Sequence, residues 1–475
     1  MSVQNKDMNQ QDVVQYVTGL MQRAKKAQRI AEGFTQEQVD ELATVIAWEI
    51  AGNDDVVAEL AELALKETRL GDYNSKVAKV KKKVRGVLRD IKHEKTVGVI
   101  EENKEKGLIK IAKPAGVIGA LVPSTQPEMS PILQALCSIK ARDAIVFAPH
   151  PRGKKTTLRT TEIMRATLIK YGAPEDLIIC AENPTVQMSQ EIMKQCDLIM
   201  ATGGQLMVKA AYSSGIPAYG VGAGNANIVI DETADIKDAA HKIMLSKTFD
   251  LSAGCSCDNS LIIHESIYEE MISALKSVGG YLATTAEEKE RLKKAIWPNW
   301  PADHVINRDV VASHVENIAN IAGLSIGKDR KFVLVEESGS GADYPFSGEK
   351  MCLVIAVYKY KKFADAIRIV NENQAYSGAG HSCGIYSKSK EHIMQLALQT
   401  HTVRVVVNQP QSYTNTGDWT CGMPFTGSLG CGTWGGNIAS ENIVLKHYLN
   451  TTWVISPICS SIPTDEELFG DLKKR

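Results

Sequence analysis

No uninterrupted apolar run in this sequence reaches the roughly 18 to 20 residues that a membrane-spanning helix requires. The N-terminus also lacks a basic segment followed by an apolar core, so a cytoplasmic protein is expected, with no membrane partner. An excess of either charge sign is missing as well. Lys and Arg total 54 against 55 Asp and Glu, a net charge of -1, which gives no electrostatic reason to expect a nucleic-acid partner. Ten cysteines are present, yet none forms a CxxC pair and no Cys/His cluster has zinc-ligand spacing, so no metal site is expected. Reduced thiols are then the default, and one of them can act as a nucleophile.

What is there suffices for a large folded protein. Hydrophobic residues make up 44% of the 475 residues, and at roughly 150 residues per domain the length fits about three packing units. The first ninety residues read as helices. Val13, Val17, Leu20, Ala24, Ala27 and Ala31 recur at three- and four-residue steps. Thr35 and Gln38 have capping-box spacing ahead of Val39, Leu42, Ala43 and Ile46. Further helices are predicted over 54–67 and 76–91. The second carries a basic run, Lys79, Lys81, Lys82, Lys83 and Arg85, beside apolar Val80, Val84, Val87 and Ile91, and a solvated face is the expectation for it. Residues 96–111 alternate loosely about a turn at 103–107, which predicts a projecting hairpin whose edges offer a docking place to a second subunit.

From Gly116 the pattern changes to short apolar runs at 117–122, 144–148, 177–180, 198–201 and 228–230, separated by helical stretches. Continuous apolar strands alternating with helices indicate a parallel sheet covered on both faces. The glycine-rich segment Gly220-Val221-Gly222-Ala223-Gly224 precedes a strand, not a helix, so it fails the context required of the usual dinucleotide fingerprint. A helix near 265–275 and strands near 331–336, 351–358 and 403–407 predict a second α/β unit.

One loop draws attention on chemical grounds. In Phe249-Asp250-Leu251-Ser252-Ala253-Gly254-Cys255-Ser256-Cys257 a thiol is surrounded by small residues, which permit close approach of a substrate and of backbone N–H donors. Taken alone this is weak, because most cysteines of such proteins are small core residues. Three other segments strengthen it: Phe346-Ser347-Gly348-Glu349-Lys350, the turn Gly378-Ala379-Gly380-His381, and Leu429-Gly430-Cys431-Gly432-Thr433-Trp434-Gly435-Gly436-Asn437. Together they resemble the aldehyde dehydrogenase superfamily. Ala201-Thr202-Gly203-Gly204, Ala210-Ala211-Tyr212-Ser213-Ser214-Gly215 and residues 220–225 narrow the resemblance to its CoA-acylating branch, over about 27–470.

The resemblance implies an α/β fold with two Rossmann-like domains and a protruding oligomerisation hairpin. Residues 1–95 and 112–230 would bind a nicotinamide cofactor, 231–442 would carry the nucleophile, and 96–111 with 443–475 would join copies into a homodimer or homotetramer. It also implies that Cys255 attacks an aldehyde, that hydride passes to NAD or NADP, and that coenzyme A takes the acyl group from the resulting thioester. Hydrolytic members carry a glutamate in the segment matching 220–225, and this stretch has no carboxylate, which favours a thiol over water as the second nucleophile. The family's first helix begins close to the N-terminus, so a long encapsulation peptide is not expected. With no histidine-rich metal motif and no room for an iron-dependent alcohol dehydrogenase partner, a stand-alone aldehyde enzyme is.

Further roles carry over position by position. His381 either handles a proton or fixes its loop. Glu349 matches the carboxylate that holds the nicotinamide ribose, with a salt bridge to Lys350 as its alternative. Ser124, Thr125, Thr202, Gly203, Gly204, Gly222 and Gly224 match the nucleotide cleft. His150, Arg152 and Lys154 match its adenosine-ribose region, where cations suit a 2′-phosphate or the phosphates of CoA. Gln126 stands where the family has an asparagine that donates to the oxyanion, one methylene shorter, so either the loop is shifted or the backbone N–H of Cys255 carries more of the load. Cys257 and Cys431 are read as structural. Among short aldehydes the resemblance favours sulfoacetaldehyde, with Thr125, Gln126, Ser256, Arg404 and Asn408 as candidate contacts, Arg404 more as a structural residue. Succinate semialdehyde, acetaldehyde, propionaldehyde and a hydrolytic reaction are the alternatives.

Overall fold

The computed structural model describes residues 9–474, so the first eight residues of the expected 1–95 segment, and Arg475, lie outside the described residues. Helix α1 (Gln10–Ala31) starts where Asn9 accepts from the N–H groups of Gln11 and Asp12, and it buries the whole Val13 to Ala31 stripe read from the sequence. Helix α2 (Gln36–Ala51) opens with the Thr35 and Gln38 capping box. Helices α3 (Asp54–Thr68) and α4 (Tyr73–Ile91) complete the layer. No described helix is long and apolar enough to cross a membrane.

Helix α4 corrects the reading of the basic run. Lys76, Lys79 and Lys83 are buried together with Val80, Val84 and Val87, and only Arg85 of the run is exposed. Positions three, four and seven apart share a helix face, so these lysines fall on the same inward stripe as the valines.

Strands β1 (Gly98–Asn103) and β2 (Leu108–Pro114) form the predicted hairpin. A five-stranded parallel sheet follows, made of β3 (Val117–Val122), β4 (Ala144–Pro149), β5 (Ile178–Cys180), β6 (Leu198–Thr202) and β7 (Ala218–Val221) in the order β5-β4-β3-β6-β7. Helices α5 (Ser130–Ala141), α6 (Lys154–Lys170), α7 (Val186–Gln195) and α8 (Gln205–Tyr212) connect its strands. The chain winds outward from β3 to β5 and returns with β6 on the other side of β3, which opens a crevice at the carboxyl ends of β3 and β6.

A seven-stranded parallel sheet holds β8 (Ala226–Ile230), β9 (Asp258–His264), β10 (Gly280–Ala283), β11 (Phe332–Glu336), β12 (Val354–Tyr360), β13 (Cys383–Tyr386) and β14 (Val405–Val407), in the order β10-β11-β12-β9-β8-β13-β14. Helix α9 (Ile236–Thr248) lies between β8 and β9 in the chain. Strand β8 therefore pairs with β9 and β13, and the passage between the two sheets falls between Val221 and Ala226, ahead of the expected boundary at 230. Each sheet has its own apolar core, the first shared with α1 to α4.

The C-terminal strand β15 (Leu449–Ile455) runs antiparallel to β2. One edge that the sequence left open to a second subunit is thus covered by the same chain. The resulting three-stranded sheet leaves Trp453, Val454 and Ile455 exposed.

Candidate active site

A cavity of about 350 Å³ lies where the carboxyl ends of β3, β6 and β7 meet the loop between α9 and β9. That loop carries Cys255, and its entry is unusual: Asp250, Leu251 and Ser252 have φ of 48°, 49° and 67°, a left-handed run that L-residues adopt at a cost of the order of 1–3 kcal/mol each. Asp250 holds it in place. Its backbone N–H donates to Ser75 Oγ at 3.0 Å, its Oδ1 accepts from the Asp72 N–H at 3.1 Å, and its Oδ2 accepts from Lys79 Nζ at 2.6 Å. Lys79 also lies 3.2 Å from Glu128 Oε1, and Lys76 stands 3.7 Å from both carboxylates. Two cations and two anions buried together are mutually neutralised. Burial would lower Lys79, but Asp250 and Glu128 raise it above the ordinary lysine range.

Cys255 itself is half-buried, with Sγ 3.1 Å from His381 Nε2. The imidazole is fully buried, and its Nδ1 lies 2.9 Å from Ser382 Oγ, which in turn accepts from Asn415 Nδ2 at 3.2 Å. Burial, with Arg404 adding to it, pushes His381 down to about 3. Burial, with Glu349 adding to it, pushes the Cys255 thiol up to about 12. The resting pair is a thiol beside a neutral imidazole, and Nε2 is the atom placed to receive the sulfur's proton.

The glycine-rich passage packs directly on Cys255. A methyl group on Gly224 would lie 2.0 Å from the Cys255 carbonyl oxygen. Asn225 fastens the passage by donating from Nδ2 to the carbonyls of Ser347, Asn373 and Ser377 at 2.9–3.1 Å. Glu349 Oε1 accepts from the Gly224 N–H at 3.3 Å, and burial pushes this carboxyl up to about 7. The salt bridge weighed for Glu349 does not form, because Lys350 Nζ turns inward to the carbonyls of Phe346 and Gly348 at 2.6 and 2.9 Å. Although 220–225 contains no carboxylate, the fold sets Glu349 against it.

The cavity also gathers Ser124, Thr125, Gln126, His150, Thr202, Gly203, Gly204, Gly222 and Ser256. The Gln126 carbonyl caps α5 by accepting from the N–H groups of Met129 and Ser130, which leaves its side-chain amide free for the cavity. Thr202 Oγ1 is 2.9 Å from Ser428 Oγ, and nothing lies within 4 Å of where side chains would stand on Gly204 and Gly222. These glycines, at the crevice between β3 and β6, leave room for a pyrophosphate and so fit a nicotinamide nucleotide.

Several candidates are corrected by their positions. Arg404 is buried outside the cavity lining, donating to Asn442 Oδ1, the His381 carbonyl and the Gly430 carbonyl at 2.9–3.0 Å; all its reach is spent on positioning the His381 and glycine-rich loops. Asn408 follows β14 with φ of 52°, and its amide bonds both backbone groups of Ser387, so it closes a turn outside the cavity lining. Arg152 is exposed and, with Lys154, lies outside the lining. The N–H groups opening α6 at Lys155 and Thr156 already donate to the Glu67 carboxylate at 2.8 Å. Cys257 and Cys431 are buried, their thiols 3.8 Å from the Phe249 carbonyl and 3.4 Å from the Leu429 carbonyl.

The sequence reading gave no site role to several polar lining residues, among them Lys79, Lys83, Asp250, Ser412 and Thr416. The two lysines were visible in the α4 periodicity, where they align with the valines. The other three carry no local signal.

A model described as the aldehyde dehydrogenase family matches residues 7–287 and 349–454. A sulfoacetaldehyde dehydrogenase of an Acholeplasma species is 42% identical over 456 residues, 96% of this chain and 94% of that protein. The acylating sulfoacetaldehyde dehydrogenase of Bilophila wadsworthia is 43% identical over 460 residues, 97% of this chain and 99% of that protein. The crystal structure of an acetylating aldehyde dehydrogenase from Geobacillus thermoglucosidasius has a TM-score of 0.91 at 35% identity, covering 97% of this chain and 100% of that one.

Proposed function

This chain belongs to the aldehyde dehydrogenase family, in its CoA-acylating branch, and from that premise we propose that it converts sulfoacetaldehyde to sulfoacetyl-CoA. The observation that carries the chemistry is the Cys255 sulfur, in the cavity lining, 3.1 Å from a buried, neutral His381. As the sulfur bonds the aldehyde carbon, its proton passes to Nε2, and the oxygen gathers charge that the Cys255 backbone N–H and the Gln126 amide would meet. A nicotinamide nucleotide, held by Thr202, Gly203, Gly204, Gly222 and the Glu349 carboxylate, supplies the hydride acceptor when bound. Loss of hydride leaves a thioester on Cys255. The thiol of coenzyme A attacks that carbonyl, the carbon–sulfur bond to Cys255 breaks, and the enzyme sulfur recovers a proton.

Thiol attack is favoured over hydrolysis by what the pocket carboxylates are doing. Asp250 is neutralised by Lys79, and Glu349 is held against the Gly224 N–H. The test is an aldehyde panel of sulfoacetaldehyde, succinate semialdehyde, acetaldehyde and propionaldehyde, run with NAD and with NADP, with and without CoA. Steady NAD(P)H formation from sulfoacetaldehyde only when CoA is present, with sulfoacetyl-CoA found by mass spectrometry, is the expected result. Steady turnover without CoA, abolished by Glu349→Gln, would instead make this a hydrolytic enzyme with Glu349 as its base. The exposed sheet of β1, β2 and β15 is the proposed seat of a second copy, and light scattering is expected to give a dimer or tetramer.

A further inference from the structure

Lys83 lies on α4 with its side chain in the cavity wall and is only 4% exposed. Its ammonium donates to Thr416 Oγ1 at 2.5 Å and lies 2.7, 3.1 and 3.5 Å from the carbonyls of Gly417, Thr416 and Tyr413. Every one of these acceptors is neutral. Its other close neighbour is the Phe425 ring, 5.3 Å from Nζ to centroid. The neighbouring cations are matched: Lys82 pairs with Asp418 at 2.5 Å, and Lys79 with Asp250. Lys83 has no carboxylate partner among the described residues. A buried charge solvated by dipoles and not directly paired is costly, and burial, with Lys82 adding to it and Asp418, beyond ion-pair distance, opposing it, pushes Lys83 down to about 7.

A second group in the same wall is also unfinished. Ser412 is 7% exposed, lines the cavity, and its hydroxyl has no hydrogen-bond partner. Thr416 Oγ1 accepts from Lys83, so its own hydrogen is free to be donated elsewhere. One cation without a carboxylate and two hydroxyl side chains therefore belong to residues that line the cavity holding Cys255.

We infer that Lys83, Ser412 and Thr416 form an anion subsite that receives the negatively charged end of a short aldehyde while Cys255 attacks its other end. The inference rests on the acylating reading above and deepens it. The substrate class it names is an aldehyde bearing a sulfonate or a carboxylate. An anion there supplies the missing countercharge, accepts from both hydroxyls and fixes the aldehyde by its tail, whereas a neutral aldehyde leaves the cation uncompensated.

The test compares wild type with Lys83→Met by the ratio of kcat/KM for sulfoacetaldehyde to kcat/KM for propionaldehyde. The expected change is a fall in that ratio of about 100-fold, with partial recovery in Lys83→Arg. An unchanged ratio overturns the subsite. Should Lys83→Met fail to fold, Ser412→Ala removes a hydroxyl that has no partner, and a drop of about tenfold is expected; no drop overturns it equally. A second measurement needs no turnover: ethanesulfonate or propionate should slow alkylation of Cys255 by neutral iodoacetamide in wild type and not in Lys83→Met. Comparing the two anions ranks sulfonate against carboxylate. Equal protection by inorganic phosphate would mark a phosphate site and overturn the assignment. If only neutral aldehydes are turned over while ethanesulfonate still protects through Lys83, the sulfoacetaldehyde reading fails and the anion subsite stands.

Discussion

The Cys255 sulfur and the His381 Nε2 nitrogen lie 3.1 Å apart in a setting that keeps both neutral. Burial disfavours the thiolate and the imidazolium alike, pushing the thiol up to about 12 and the imidazole down to about 3. On the proposed mechanism the proton then moves while the carbon–sulfur bond forms, with no ion pair formed beforehand. An acid whose pKa lies above the working range gains ionised form tenfold per pH unit. The rate of Cys255 alkylation by iodoacetamide should accordingly rise about tenfold per unit from about pH 6 to 10 with no plateau. A rate already flat near neutrality would reveal a preformed thiolate–imidazolium pair.

Gly224 is held to glycine by the nucleophile's own backbone. An added methyl would meet the Cys255 carbonyl oxygen at 2.0 Å and its Cβ at 2.9 Å, so Gly224→Ala must displace the loop. A shift of about 1 Å at a reacting atom is worth roughly 100-fold in rate. The expected result is a loss of kcat of that order with overall folding retained by circular dichroism.

Lys79 ties α4 to the strained turn ahead of Cys255 through Asp250. Lys79→Met would leave Asp250 and Glu128 sharing Lys76 alone in a buried site, and breaking a buried pair costs about 3–5 kcal/mol. Urea denaturation should show a loss in that range. A change under about 1 kcal/mol would mean that water reaches these carboxylates.

Gln126 has its carbonyl engaged in capping α5 and its side-chain amide unengaged at the cavity. Removing one oxyanion donor costs about 100- to 1000-fold in kcat. Gln126→Ala should show that loss with an unaltered thermal melt. A loss below about threefold would assign the oxyanion to backbone N–H groups.

Much of the frame was legible in the chain because it rests on local patterns. The capping box at Thr35 and Gln38, the buried stripe of α1 and the apolar run of β3 are each set by neighbours within a few residues. Short strands were harder to read. β13 spans Cys383–Tyr386 and contains a glycine, and β7 spans Ala218–Val221; each is identified as strand only by the strand beside it. The strand expected from 351 starts at Val354, after Met351 has turned through a φ of 46°.

Cys255 stood out in the sequence because its small neighbours leave a reactive side chain room, and His381 and Glu349 because their segments resemble the family's. Their meeting did not. The 126 positions that separate Cys255 from His381 are bridged by the pairing of β8 with β9 and β13, and β2's edge is closed by a strand more than three hundred residues later. Composition and periodicity determined the class of fold, and motif resemblance pointed to the residues that were chemically equipped. Whether a lysine is solvent-facing or a buried, unmatched charge depends on which groups other segments bring within a few ångströms of it, and for Lys83 only the packing of α4 against 412–417 decided that. Desolvation and charge compensation are properties of neighbourhoods in space, and a linear chain does not carry them until it is folded.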